Sequence, residues 1–202
     1  TGEQRTTPAE PSMRGPQWER IGTPRLPAAA GHNRFTWDLT LAGPWDPNPA
    51  RSGRNGPLVV PGAYQARLTS GTWSATAPLT IVADPRVVAD GVTLPVMQEL
   101  LTHNLATRDL VSEMNRLQQE VETVWRTAQG AQKTTVGEVR DTIQSQPWRY
   151  GRPGLAAQIQ YLYGAMMQAD QAVGNDARAR LVQLRTEFEA AQTKFRAATI
   201  VP

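Results

Sequence analysis

Asn33-Arg34-Phe35-Thr36-Trp37-Asp38-Leu39 and Pro61-Gly62-Ala63-Tyr64-Gln65-Ala66-Arg67-Leu68 are the two stretches that decide how this chain is read. In the first, Phe35, Trp37, Leu39 and Leu41 fall on one face and Arg34, Thr36, Asp38 and Thr40 on the other. That two-residue period is the mark of a half-buried strand. In the second, Pro61-Gly62 reads as a type II turn, with Pro setting φ and Gly taking the positive φ. Tyr64, Ala66 and Leu68 then alternate with Gln65, Arg67 and Thr69. Ser70-Gly71 turns the chain back, and Trp73 to Ala83 returns as the partner strand, closing at Asp84-Pro85-Arg86. Pro78 within that strand points to an edge position or a bulge. Between the two stretches, Gly43 to Gly56 is a long Pro/Gly/Asn loop and Leu58-Val59-Val60 a short strand. Residues 31–86 are therefore expected to form a small β domain of short strands.

Helices follow directly. Thr93 reads as an N-cap with Pro95 in the first turn. Leu110, Met114, Leu117, Val121, Val124 and Ala128 recur at alternating spacings of 4 and 3. Gly130 marks a break, and Val136, Val139 and Ile143 continue the pattern. After the loop Gln146 to Gly154, the seam runs through Leu155, Ile159, Leu162, Met166, Ala169 and Val173, and Gly174 is expected to end that helix. Asn175 or Asp176 caps the last one, whose seam is Leu181, Leu184, Phe188, Ala191, Phe195 and Ala198. Helices with one such seam each bury the seams against one another, so residues 93–198 predict an antiparallel helical bundle or coiled-coil hairpin. The fold class is α+β with separate β and α parts. Upstream, residues 1–30 read as an extended Pro-rich arm, with Trp18 to Ile21 as its one short strand candidate.

Composition narrows the function. The chain has 202 residues, 40% hydrophobic and 19% charged, enough for a real core. Its net charge is +3, with arginines dispersed and no run of four Lys/Arg, which argues against nucleic acid as partner. There is no Cys, so disulfides and thiolate metal sites are excluded. No apolar run approaches the roughly 18 residues that span a bilayer. The sequence opens on Thr1 with no signal peptide, which reads as a processed, trimmed or partial chain.

Catalytic chemistry finds little support. His32 precedes a strand in a loop, and His103 is expected on a solvated helix flank; neither sits beside a nucleophile motif. Within residues 31–86, Asp38 and Asp46 are the only acidic pair near aromatic residues, and Asp38 is expected to be solvated or to bond a turn amide. The Glu120/Glu122 and Glu187/Glu189 pairs read as solvated-face charges, with Arg185/Glu189 an i,i+4 pair. No phosphate loop, dinucleotide fingerprint or metal-binding spacing is present, so no catalytic, cofactor-binding or metal-ligating residue is assigned. Two aromatic–Arg stretches read as recognition surfaces: Trp45 with Asp46 in the long loop, and Trp148, Arg149, Tyr150 and Arg152 between helices. Trp18 in the arm is the third candidate. For Trp148 and Tyr150, capping of the bundle end is the competing reading.

Through Asn33-Arg34-Phe35, Trp37-Asp38, the Gly/Pro loop and Pro61-Gly62-Ala63-Tyr64, residues 31–86 resemble the Ig-like modules of flagellar-hook capping proteins and of the ends of secreted bacterial proteins, and the resemblance implies a small Ig-like β-sandwich. A wider pattern adds Thr80-Ile81-Val82, Asp84-Pro85-Arg86, Arg108-Asp109-Leu110, Asn115, and Leu155, Gln158, Tyr161 and Leu162. Over residues 24–198 it resembles the C-terminal region that follows the β-propeller in bacterial sortilin-like, BNR/Asp-box proteins. These are labelled glycosyl hydrolase or photosystem II assembly factor-like. The propeller and its Ser-x-Asp-x-Gly-x-x-Trp boxes are absent, so no catalytic residue carries over. The first Ig-like strand is also missing unless Trp18–Ile21 replaces it.

The expectation is a non-catalytic, extracytoplasmic or periplasmic subunit without a cofactor, docked peripherally on a larger protein complex through its arm and open sheet edge. The assembly-factor label extends this to a photosynthetic membrane complex. The alternatives are the accessory end of a propeller-type hydrolase and a carbohydrate-binding module using Trp45 and Asp46.

Overall fold

The computed structural model of the chain describes residues 29–147 and 150–200. Its elements run β1 (Gly62–Ser70), β2 (Trp73–Ile81), α1 (Pro85–Ala89), α2 (Leu94–Thr127), α3 (Gly130–Ile143), α4 (Leu155–Met166) and α5 (Asn175–Ile200). This is an α+β chain in which a two-stranded antiparallel hairpin precedes a packed bundle of four longer helices.

The bundle follows the apolar seams. α2 buries Leu110, Met114, Leu117 and Val121, and α3 buries Val136, Val139 and Ile143. α4 buries Leu155, Ile159, Leu162 and Met166, and Leu184, Phe188, Ala191 and Phe195 complete the core from α5. α2 packs on α3, α4 and α5, and α5 also lies on α3 and α4. Thr93 precedes α2 in extended geometry with Pro95 in the first turn, although its hydroxyl makes no capping bond. Gly130, at φ +56°, makes the break between α2 and α3 that a side chain would resist. α4 stops at Met166, short of the expected Gly174; Val173 still reaches the core from the irregular connection.

Charges bridge the helices on their outer faces. Glu122 pairs with Arg140, Glu99 with Arg178, Glu138 with Lys194 and Glu113 with Arg185. Arg185 thus reaches across to α2 rather than along its own helix to Glu189. Such partly exposed pairs contribute about 0–1 kcal/mol each. They align helices more than they stabilise them.

The β part departs from the sandwich. Among the described residues there is one sheet, and it has two strands. The alternation of Asn33–Leu41 does not become a strand; its only ladder contact is an isolated bridge, Thr40 to Leu58. Leu39 takes a left-handed φ of +62°, which breaks the extended run. Leu41 is buried, whereas Phe35 and Leu39 stay exposed. Pro61-Gly62 makes no type II turn, since Gly62 has no positive φ and opens β1. Asp84-Pro85-Arg86 closes no strand either. Asp84 caps α1 by accepting the Arg86 N–H at 2.8 Å. The hairpin turn itself is where the sequence places it, with Gly71 at φ +58° as the first of two loop residues. That is the Gly-first pattern of a type II′ turn, whose twist suits paired strands.

Candidate docking surface

The long loop between Leu39 and Val59 is a built structure. Its two arms bond each other from Leu41 N–H to Pro57 O, Gly43 N–H to Gly53 O and Gly53 N–H to Pro44 O, all at 2.8–2.9 Å. The arms come so close that a Cβ on Gly43 would stand 1.7 Å from Arg54 O, and one on Gly56 1.8 Å from Leu41 O. The tip is held by Asp46, which accepts the Asn48 N–H at 2.7 Å and both Nε and Nη2 of Arg51 at 3.0 Å. Burial raises the Asp46 carboxyl, but the Arg51 guanidinium and the Asn48 N–H outweigh it and hold it below the ordinary carboxylate range.

α2 and α4 grip this loop by its backbone. The Trp45 N–H donates to Ser112 Oγ at 3.0 Å, and Asn115 Nδ2 donates to the Trp45 carbonyl at 2.7 Å. Arg108, almost fully buried, donates to the Ala42 carbonyl at 3.3 Å and to Asp109 Oδ1 at 2.7 Å. Tyr163 Oη donates to the Asn55 carbonyl at 2.7 Å, and burial pushes its hydroxyl well above the ordinary phenol range. Ser112, Asn115 and Arg108 recur at helical spacing on α2, so one face of the helix reads the loop. The sequence marks Ser112 and Tyr163 only by position, Ser112 one turn from Arg108 and Tyr163 next to the seam residue Leu162.

The loop thereby seats Trp45 beside an open groove of about 600 Å³. Arg116 stacks on the Trp45 ring at 5.1 Å, and Gln119, Glu120, Thr123, Phe195 and Thr199 line the remainder. A second cleft, about 260 Å³ and largely apolar, lies at the hairpin's foot between Leu58, Ile81, Met97, Leu101 and Met166.

The hairpin projects from that foot. Register pairs Tyr64 with Leu79, Ala66 with Ala77, Leu68 with Ala75 and Ser70 with Trp73, so one face is almost wholly apolar. The other face carries Gln65, Arg67, Thr69, Ser74, Thr76 and Thr80. Among the named elements β1 and β2 touch only each other. Leu68, Trp73 and Leu79 are 38%, 55% and 37% exposed on the apolar face. Among the described residues the anchor is at its root: Tyr64 meets Trp37 edge-on at 6.3 Å and donates to the Val60 carbonyl at 2.7 Å.

The other expected residues distribute as follows. Trp18, Trp148 and Arg149 lie outside the described residues. Tyr150 is 93% exposed with a left-handed φ of +66°, so it does not cap the bundle. Arg152 N–H donates to Gln146 Oε1 at 3.1 Å, closing the 146–152 loop. Tyr161, on α4, is exposed. His103 is buried, its Nε2 3.4 Å from the Ala177 carbonyl, and not on a solvated flank. Asp38 is occupied by Thr40, whose hydroxyl at 2.6 Å lowers its pKa. Asp38 and Asp46 thus each have a local partner, and both are held ionised rather than as an acid. No three His, Asp or Glu side chains converge among the described residues. No helix there is long and apolar enough to cross a membrane.

Comparison with protein-family models, curated proteins and solved structures yields no match.

Proposed function

We propose that this chain is a non-catalytic structural subunit that docks on a larger extracytoplasmic protein complex. In this reading the bundle is the scaffold and the hairpin is the docking element. The observation that carries it is the hairpin's apolar face of Tyr64, Ala66, Leu68, Trp73, Ala75, Ala77 and Leu79, which no named element covers. An isolated two-stranded hairpin is marginal in water, and exposed apolar patches mark interaction sites. The resemblance to regions that follow bacterial propellers supports the same role and an exported, periplasmic setting; the photosynthetic complex is its most specific form. The test is affinity capture from native membranes with the full chain and with a Leu68→Ser/Trp73→Ser variant. A defined complex retained by the first and lost by the second is expected. Equal capture by both would overturn the reading.

A second reading rests on the groove beside Trp45. An aromatic ring flanked by Arg116, Gln119 and Glu120 offers the stacking and hydrogen bonds that a sugar takes. It predicts glycan-array binding that disappears in Trp45→Ala.

A further inference from the structure

Resting on that docking reading, we infer that the partner binds by adding a β-strand to the outer edge of β1 and not of β2, and that it is a sheet of another protein. The edges of the hairpin are chemically unequal. Its loop has two residues, Gly71 and Thr72, so the flanking Ser70–Trp73 pair is hydrogen-bonded and the pairs alternate from there. Gln65–Pro78 then falls at a non-hydrogen-bonded position, as it must, because Pro78 has no N–H to give. Backbone groups at such positions point away from the partner strand. On β1 the outward residues are Ala63, Gln65, Arg67 and Thr69, each with a donor and an acceptor. On β2 they are Ser74, Thr76, Pro78 and Thr80, and Pro78 interrupts the donor row midway. A proline on an edge strand is a standard block against pairing. The unblocked edge is β1.

The occupant's chemistry follows from area and charge. One hairpin face, nine residues long, spans about 30 Å by about 10 Å, so it offers roughly 300 Å². Two copies pressed together bury roughly 600 Å² in total, short of the roughly 1,000 Å² that a specific interface needs. Pairing of two β1 edges would also bring two Arg67 side chains to one polar face. A larger sheet fits both demands, continuing the ladder and covering the apolar face. Arg67 is the one charged residue from Gly62 to Ile81, so a carboxylate on the partner's polar face is favoured.

The probe is a nine-residue peptide alternating Val with Thr and Glu, added to the full chain and followed by residue-resolved amide hydrogen exchange. Ala63, Gln65, Arg67 and Thr69 are expected to slow by about tenfold or more while Ser74, Thr76 and Thr80 do not. Exchanging Glu for Lys in the peptide weakens binding a few-fold. Arg67→Pro abolishes the protection; Thr76→Pro, its cross-strand neighbour, leaves it intact, and the Trp73 and Ala77 resonances verify that each hairpin still forms. Protection of the β2 edge, of both edges equally, or of neither overturns the inference. So does protection of the β1 edge without peptide that grows with protein concentration (a second copy) or vanishes on removing residues 1–28 (the chain's own arm). If Leu68→Ser/Trp73→Ser loses membrane capture while Arg67→Pro retains it, strand addition fails and the docking reading stands. If all variants capture equally, both fail.

Discussion

Asn115 and Ser112 do at the scale of a single residue what a loop of this length otherwise lacks: they satisfy the two backbone groups of Trp45 from a rigid helix. Removing either partner leaves a half-buried peptide group unpaired, which costs about 1–3 kcal/mol. Asn115→Ala and Ser112→Ala are therefore each expected to lower stability by about 1–2 kcal/mol. Hydrogen exchange at Trp45 should accelerate in both, and chemical denaturation gives the magnitude. Asp46 adds a pH dependence at the loop tip. Its folded pKa is depressed, so its stabilisation is present above the ordinary carboxylate range and is lost as pH falls through the folded value. Acidification should loosen residues 46–52 before the bundle responds, which an NMR titration would follow; Asp46→Asn should remove that early step. Little of this was legible in the sequence. The loop's backbone carbonyls find side-chain donors some 66–108 positions away, and no local pattern encodes such pairs. His103 departs from its expected place for the same reason: its neighbours Thr102 and Asn104 suggest a polar flank, yet α5 covers it with the Ala177 carbonyl.

At the scale of elements, helices were readable because each carries its own burial signal. The 3-and-4 spacing names the buried face before any partner is known, and Leu110, Val136, Ile159 and Leu184 are all fully enclosed. Leu184→Ala should cost about 2–5 kcal/mol by deleting side-chain volume from a close-packed core, measurable by urea unfolding. Strand reading failed where alternation met no partner strand. Phe35, Trp37 and Leu39 alternate correctly, but a strand exists only as a pair, and Leu39 turns left-handed instead. Glycine placement is a sharper element-level constraint. A Cβ at Gly154 would stand 2.2 Å from the Gln144 backbone, where the chain enters α4 against the end of α3. Gly154→Ala must displace backbone rather than a side chain, so we expect a loss on the order of 1–3 kcal/mol, at the level of an overpacked core site. Gly164→Ala meets open space in the same helix and should gain up to about 1 kcal/mol from helix propensity.

For the whole molecule, the consequence is two levels of stability in one chain. The bundle pools the burial of four helices, whereas the hairpin draws on cross-strand contacts and a root at Tyr64, Trp37 and Val60. Two strands without a covering layer are marginal in water, and opening them exposes little surface that is not already exposed. Native-state hydrogen exchange should therefore separate the chain into two tiers. Hairpin amides between Ala63 and Thr80 should exchange with a protection free energy near 0–2 kcal/mol, while α2 and α5 core amides report the global value. Replacing Ala63 to Thr80 by a short Gly/Ser turn should leave the bundle's unfolding free energy within about 0.5 kcal/mol, the ordinary scale of a surface change. A single cooperative transition in which hairpin and bundle amides share one opening free energy would show that the hairpin belongs to the bundle's core energetics. The same protein would then have no uncommitted sheet to offer a partner, because the face and edge that docking requires are available only if the fold does not already depend on them.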